Sequence, residues 1–283
     1  MNDTNRGRVA EQVRRLEVPE GHLAVWALGQ SGYLLKGGEH VVVIDPYLSN
    51  YVEEITPEAK GAFARQVPIV ARPEELDMVE LALSTHHHDD HCDPRTLVPL
   101  MQAAPRAIIL TSYTARDLLL AAGVDGARVR VPPVDAPVEY GQGLTITAIP
   151  SAHYDFEPDA QGNPAYLGFI LHMNGVRLYH AGDGLVYSGL EERLARQGLD
   201  IACLPINGRD RFREEQGIVG NMDYREVAGL AHRIGVRVLL PMHNDMFAGN
   251  RINPSYLLDY LESHHPEQRV HFLRAGELYY YAG

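Results

Sequence analysis

Ser84-Thr85-His86-His87-His88-Asp89-Asp90-His91 directly follows the largely apolar run 78–83. Residues 86–91 are four histidines and two aspartates. Imidazoles and carboxylates at this density are costly to bury unpaired, and they are the donors that divalent transition metals take. On an extended chain, positions 86, 88 and 90 share a face. His91 joins them only if the chain turns, so the expected carrier is a loop at a strand end.

Three other apolar runs end in the same kind of side chain. Ile149-Pro150-Ser151-Ala152-His153 places His153 after a strand, Leu178-Tyr179-His180-Ala181-Gly182-Asp183-Gly184 places Asp183, and Leu239-Leu240-Pro241-Met242-His243 places His243. Four loops leaving one edge of a sheet core would converge on one site, since sites gather beyond strand ends.

The surrounding pattern supplies such sheets. Residues 1–20 read as a frayed or helical arm. β-prone runs at 22–28, 32–36 and 39–44, with a Gly37-Gly38 turn, predict hairpin structure stopped by Asp45-Pro46. Residues 47–76 predict an irregular excursion that covers a site, makes a subunit contact or simply decorates the surface. Strands are expected at 78–83, 107–111, 127–131, 138–140 and 144–149, with helices at 94–103 and 114–122. Asp93 is the expected N-cap of the first of these helices. Asn174-Gly175 predicts a hairpin between 166–173 and 176–179. Strands at 201–206, 236–241, 270–273 and 277–281 then alternate with helices at 190–197, 224–234 and 254–262. Hairpins followed by strand–helix alternation, twice over, predict one domain across 1–283, a sheet sandwich with helices on both outer faces.

Composition narrows the function. The formal charge of −12 over 283 residues repels phosphate backbones, so a nonspecific nucleic-acid binder is not expected. No apolar run is long enough to span a membrane, and residues 1–20 lack the apolar stretch of a secretory signal. A cytoplasmic location is therefore expected. The two cysteines, Cys92 and Cys203, make no disulfide scaffold. Cys92 stands beside the histidine cluster, either supporting it or as an inert small side chain.

The order His86, His88, Asp90, His91, then His153, Asp183 and His243, resembles the signature of the metallo-β-lactamase superfamily over residues 22–281. That resemblance implies a four-layer αββα sandwich (α/β, or α+β in some schemes) with its site at one edge. Within the superfamily the chain is similar to the L-ascorbate-6-phosphate lactonase group. The residues that carry this are Leu28-Gly29-Gln30-Ser31-Gly32, Pro205-Ile206-Asn207-Gly208-Arg209, Gly220-Asn221-Met222-Asp223 and Pro241-Met242-His243-Asn244-Asp245-Met246-Phe247. Asn244 departs from the His or Tyr common in such sequences.

The family layout implies His86, His88 and His153 at a first divalent metal, Asp90, His91 and His243 at a second, and Asp183 bridging them. A single-ion form is also compatible. Donors of this kind suit Mn²⁺, Zn²⁺ or Fe²⁺. Two ions would leave the inner site with a formal charge of about +1, which favours a small anionic substrate. The implied reaction is attack of metal-activated water on a lactone carbonyl, with Asp90 and Asp183 as catalytic carboxylates. Asn207 and Arg209 are expected to face the pocket and hold a sugar hydroxyl and a phosphate. Tyr187, Tyr154 and Phe247 are candidate walls. Gln30 and Ser31 lie in a loop that lines the site in the family. His180 is read as a structural histidine, His87 as facing outward or supporting a ligand from behind, and Asp89 as an orienting or exposed acid. The resemblance further implies a homo-oligomer, a hexamer being one form. Rival readings are a phosphodiesterase on the same fold, a β-lactam hydrolase, and a non-catalytic, metal-stabilised assembly protein.

Overall fold

The computed structural model describes residues 8–59, 61–215 and 217–283; the first part of the expected arm, 1–7, lies outside them. The strands, in chain order, are β1 (His22–Gly29), β2 (Gly32–Gly37), β3 (His40–Ile44), β4 (Leu81–Ser84), β5 (Ile108–Thr111), β6 (Val129–Arg130), β7 (Pro137–Glu139), β8 (Leu144–Pro150), β9 (Leu167–Met173), β10 (Val176–His180), β11 (Ile201–Pro205), β12 (Val238–Met242), β13 (Arg269–Val270) and β14 (Leu278–Ala282). They form two seven-stranded sheets, ordered β14-β1-β2-β3-β4-β5-β6 and β13-β12-β11-β10-β9-β8-β7. The last strand of the chain thus crosses back to pair antiparallel with β1.

Side-chain alternation in the first sheet explains the layering. Leu23, Val25, Ala27, Val42, Ile44, Leu81 and Leu83 belong to the core shared with the second sheet. Their neighbours Ala24, Trp26, Leu28, Val41, Val43 and Ala82 belong to a second core on the outer face. A strand buried on both faces needs apolar residues at both parities, which is why these runs read as continuous rather than alternating. Helices α1 (Arg8–Arg15), α3 (Pro94–Ala103) and α4 (Tyr113–Ala121) supply the outer core through Val9, Val13, Leu97, Leu100, Ala115 and Leu119. A short helix, α2 (Tyr51–Ile55), lies between α1 and α3 in the chain. The other sheet is covered by α5 (Leu190–Ala195), α7 (Tyr224–Ile234) and α8 (Ser255–His264), and α6 (Arg211–Glu214) is a single turn between them. The result is the expected four-layer αββα sandwich.

Element boundaries differ in places. The strand expected at 78–83 is Leu81–Ser84, because Leu76 and Val79 instead pack in the outer core around a short 3-10 turn, Pro73–Glu75. The piece expected at 127–131 is mostly a 3-10 turn capped by Asp125, leaving two residues of strand. Helix α7 spans the expected 224–234, and the structure shows what bounds it: Asp223 caps it, Glu226 bonds back to the cap, and Gly235 ends it in the left-handed region.

Direction is what matters for the site. β3 is parallel to β4, and β1 shares their direction because each is antiparallel to β2 in turn. In the other sheet β10, β11 and β12 are parallel, and β8 runs with them through antiparallel β9. β1, β3, β4, β8, β10, β11 and β12 are therefore among the strands that deliver their C-terminal ends to one edge.

Leu83 is fully buried between the sheets and lies one residue before the end of β4. Leu83→Ala is expected to lower unfolding free energy by about 2–5 kcal/mol, measured by urea denaturation followed by circular dichroism and by the fluorescence of Trp26, the single tryptophan.

Candidate metal centre

After Ser84 the chain turns: the backbone N–H groups of His91 and Cys92 both donate to His88 O, at 2.9 and 2.8 Å. This turn brings His91 back beside His86, with ring centroids 4.2 Å apart. One ligand atom from each of His86, His88, His153 and Asp183 lies within 4.8 Å of the others, and the same holds for Asp90, His91 and His243. The structure thus brings together all seven residues singled out in the sequence.

The two groups share Asp183. Its Oδ1 stands 3.3 Å from His91 Nε2, and its Oδ2 stands 3.4 Å from His243 Nε2 and 3.8 Å from His153 Nε2. Asp90 Oδ2 is 3.6 Å from His243 Nε2 and 3.7 Å from His91 Nε2. Ligands held about 2.1 Å from a common ion stand about 3.0–3.4 Å apart in octahedral or tetrahedral geometry. These contacts sit near that spacing, most of them beyond hydrogen-bond length. His86 Nε2, His91 Nε2 and Asp183 Oδ1 are buried with no hydrogen-bond partner. Orphaned donors of this kind carry a large desolvation penalty, and a divalent cation is the group that would satisfy them. The residues present therefore fit one or two divalent ions.

One residue outside the sequence reading organises this set. Asp45 is fully buried at the end of β3. Its Oδ1 accepts from the backbone N–H of Thr85 at 2.7 Å. Its Oδ2 accepts from Thr85 Oγ1 and pairs with His91 Nδ1, both at 2.7 Å. Thr85 Oγ1 spends its proton on Asp45, so it accepts from His86 Nδ1 at 2.9 Å. One carboxylate thereby places a ring proton of both His86 and His91 on Nδ1 and turns each Nε2 toward the site.

The other donors are held by equally specific packing. Gly182 and Gly184 let the Asp183 loop approach closely: a Cβ on Gly182 would meet Leu167 O and Thr85 Cβ at 2.8 Å, and one on Gly184 would meet Ser151 Oγ at 2.3 Å. Ser151 Oγ donates to Asp183 O. Gly184 N–H donates to Asn221, whose amide donates to Asn207, whose amide donates to Asn250. His243 has φ 58°, and its N–H is tied to Gln30 O at 2.9 Å. Gln30, Asp45, Tyr154 and His243 are four of the seven described non-glycine residues with positive φ, a concentration of backbone strain at the site. Tyr166 lies across His86, His153 and His88, at ring distances of 5.3, 5.4 and 6.0 Å.

The two halves differ in charge. Burial, with the neighbouring histidines, holds His86 well below the usual imidazole range and His88 down to about 4, and burial lowers His153 too. These three are neutral at pH 7, the form in which an imidazole can bind a metal. Burial also opposes charge on His91 and His243, but Asp183 and Asp90, joined at His91 by Asp45, outweigh it. His91 is raised well above its ordinary value, and His243 is raised to about 9. Burial acts against ionised Asp90 and Asp183 as well, yet the same imidazoles hold both carboxyls below the usual range.

A cavity of about 320 Å³ opens over the donors. His88, Asp90, His153, Asp183 and His243 form its polar part, with Asp89 and Asn250, while Val52, Phe63, Ile218, Val219 and Phe247 line it with apolar surface. The 47–76 excursion therefore covers the site through Val52 and Phe63, and Phe247 is a wall as expected. Arg209, Asn207 and Tyr187 are not among the lining residues. The Arg209 guanidinium is held bidentately by Glu226, at 2.7 and 2.8 Å. Asn207 is buried in the amide chain that supports the Asp183 loop, and Tyr187 donates to Pro150 O. Tyr154 stacks on His153 and bonds to Glu214. His180 is a satisfied structural residue: it bonds to Ser31 O at 2.8 Å and accepts from Gly182 N–H. Cys92 lies in the outer core, its thiol pushed up to about 12 by burial.

Comparison with known proteins agrees with this arrangement. The beta-lactamase superfamily domain family matches residues 25–243. A UPF0173 metal-dependent hydrolase of Thermoplasma acidophilum is 28% identical over 80% of this chain and 85% of its own length. Another from Hyperthermus butylicus is 25% identical over 89% of this chain and 96% of its own. Among solved structures, the metallo hydrolase Igni18 of Ignicoccus hospitalis superposes with a TM-score of 0.68 at 19% identity, covering 92% of this chain and 98% of that one. An isothiocyanate hydrolase from Delia radicum gut bacteria gives 0.67 at 20% identity, covering 92% and 100%.

Two outcomes test the centre. Asp45→Asn, which keeps the left-handed backbone comfortable, is expected to weaken metal affinity by about 10–100-fold in competition with a chromogenic chelator; unchanged affinity would remove Asp45 from its orienting role. Metal must also displace the protons held on His91 and His243. Loading at pH 7 is therefore expected to release one to two protons per chain, by calorimetry in buffers of different ionisation enthalpy, and affinity should fall as pH drops below about 9. No proton release would contradict the protonated state of this half.

Proposed function

We propose that this chain, which belongs to the metallo-β-lactamase superfamily and is a metal-dependent hydrolase, opens a small lactone ring. The observation that carries this reading is the polarity of the cavity: seven imidazole and carboxylate donors converge beneath it, and apolar side chains line its walls. Its volume suits a small molecule rather than a polymer.

A divalent ion bound by these donors would supply Lewis acidity, polarising a carbonyl and bringing the pKa of water towards neutrality. The chain's own groups do the rest. Asp183 lies between the two donor groups and carries negative charge into the site. Asp90, partly exposed at the cavity floor, is placed to orient an attacking water or take its proton. The apolar walls exclude bulk water from the flank of the substrate and strengthen electrostatic interactions at the donor end.

The lining favours a lactone without a bulky phosphate on this side. No Lys or Arg lines the cavity among the described residues, and Arg209 is committed to Glu226. The substrate's polar or anionic end would then face the metal donors, and its carbon skeleton would face Val52, Phe63 and Phe247.

The test is steady-state hydrolysis by metal-reloaded protein of L-ascorbate 6-phosphate, an unphosphorylated sugar lactone, an alkyl-substituted γ-lactone and bis(p-nitrophenyl) phosphate. Metal-dependent lactone opening is expected, falling by roughly 10²–10³-fold in Asp183→Ala, with KM unmoved by Arg209→Ala. Cleavage of the phosphodiester alone would make the protein a phosphodiesterase. Metal saturation without turnover of any of the four substrates would favour an assembly role.

A further inference from the structure

Gln30 is 4% exposed and sits at the turn between β1 and β2, inside the metal centre rather than beside it. Its terminal Nε2 lies 2.7 Å from Asp90 Oδ2 and 3.0 Å from His243 Nε2. Its Oε1 is buried with no hydrogen-bond partner. The backbone fixes the residue tightly: its N–H donates to Asp245 Oδ1 at 3.0 Å, its carbonyl accepts from His243 N–H, and its φ is 57°. A long amide is thus aimed from a strained, pinned position at two donors of the second group, with its better metal-binding atom left unsatisfied.

We propose that Gln30 is an eighth donor, completing the second metal position through its side-chain carbonyl oxygen. This deepens the dinuclear hydrolase reading and rests on it. The orphaned oxygen and the distances carry the assignment together. Separations of 2.7 and 3.0 Å from Asp90 Oδ2 and His243 Nε2 are those of neighbouring vertices around one ion, about 3.0 Å for ligands about 2.1 Å away at right angles. These are also hydrogen-bond lengths, so the distances place the terminal atom of Gln30 within reach of a ligand position, and the orphaned Oε1 is what points to an ion there. The two ends of an amide have the same shape, so a half-turn about the last side-chain bond exchanges nitrogen for oxygen without moving the backbone. In the orientation described, the NH₂ group faces the Asp90 carboxylate. A cation among Asp90, His91 and His243 repels that group and draws the oxygen, which also relieves the buried orphan. A neutral oxygen donor adds no charge, so it shapes the coordination of the second ion without tightening it as a carboxylate would.

The experiment is equilibrium dialysis of the full chain against Mn²⁺ with metal analysis, joined by the visible spectrum of the Co²⁺-loaded protein, which reports coordination number. The variants are Gln30→Asn, which suits the left-handed backbone but is too short to reach, Gln30→Ala and Gln30→Glu. In the wild type two ions are expected. Gln30→Asn and Gln30→Ala should weaken the second ion by roughly tenfold or more, leave the first unchanged, and alter the Co²⁺ spectrum at the second equivalent only. Gln30→Glu should restore or tighten second-ion binding. Second-ion binding that is equal or tighter in Gln30→Asn overturns the proposal and leaves the amide as a hydrogen-bond partner of Asp90 and His243 only. Circular dichroism and a normal first-ion affinity keep a folding defect from mimicking the effect, and if Gln30→Asn fails these checks, Gln30→Glu decides: a second-ion affinity below wild type overturns the proposal. A wild-type protein that takes up only one ion overturns both the proposal and the dinuclear reading, whereas two ions with indifferent variants overturns only the role of Gln30.

Discussion

The buried carboxylate of Asp45 is the interaction on which the rest of the centre depends. It ties the end of β3 to the loop after β4 through Thr85 N–H, and it orients His91 directly and His86 through Thr85 Oγ1. One of these imidazoles belongs to each donor group. A single acidic side chain with no solvent exposure therefore sets which ring nitrogen faces the site at both positions. Its own charge is tolerable only because every oxygen is engaged.

Around that anchor the site is a problem of buried charge. Asp183 is almost wholly enclosed and Asp90 partly so, beside imidazoles that are protonated in one half and neutral in the other. Protons and metal ions are alternative solutions to the same requirement, positive charge between carboxylates in a dry setting. The parallel strands carry this arrangement because they end together, and the glycines around Asp183 let a third loop close on the other two.

Much of this was legible in the chain. The donor residues are visible because each follows an apolar strand, and because His86, His88, Asp90 and His91 are crowded into one turn. The sandwich is visible in the twice-repeated order of hairpins and strand–helix units. Asp45 was hidden because an acid before proline reads as a strand stop, and its partner His91 is 46 positions away. Arg209 and Asn207 misled for a related reason. They follow a strand that ends at the correct edge, but Glu226, placed by the capping box of α7, claims the guanidinium, and Asn221 and Asn250 claim the amide. Such competition is decided by tertiary neighbours that no local pattern names. The excursion at 47–76 has no periodicity to read, so its covering role emerges only from Val52 and Phe63 at the cavity wall.

That covering segment divides the molecule in an instructive way. It hangs from Arg65, which bonds to the carbonyls of Tyr47 and Ser49 and lies over the Tyr47 ring, while Tyr47, Val52, Met246 and Phe247 form a small cluster separate from the two sheet cores. The part of the apolar wall formed by Val52 and Phe63 is thus encoded by a stretch of chain that supplies no donor to the floor. Substitutions at positions 52 and 63 can accumulate without touching the strands that hold the donors. A lineage built this way can exchange one substrate for another while its hydrolytic machinery is inherited intact.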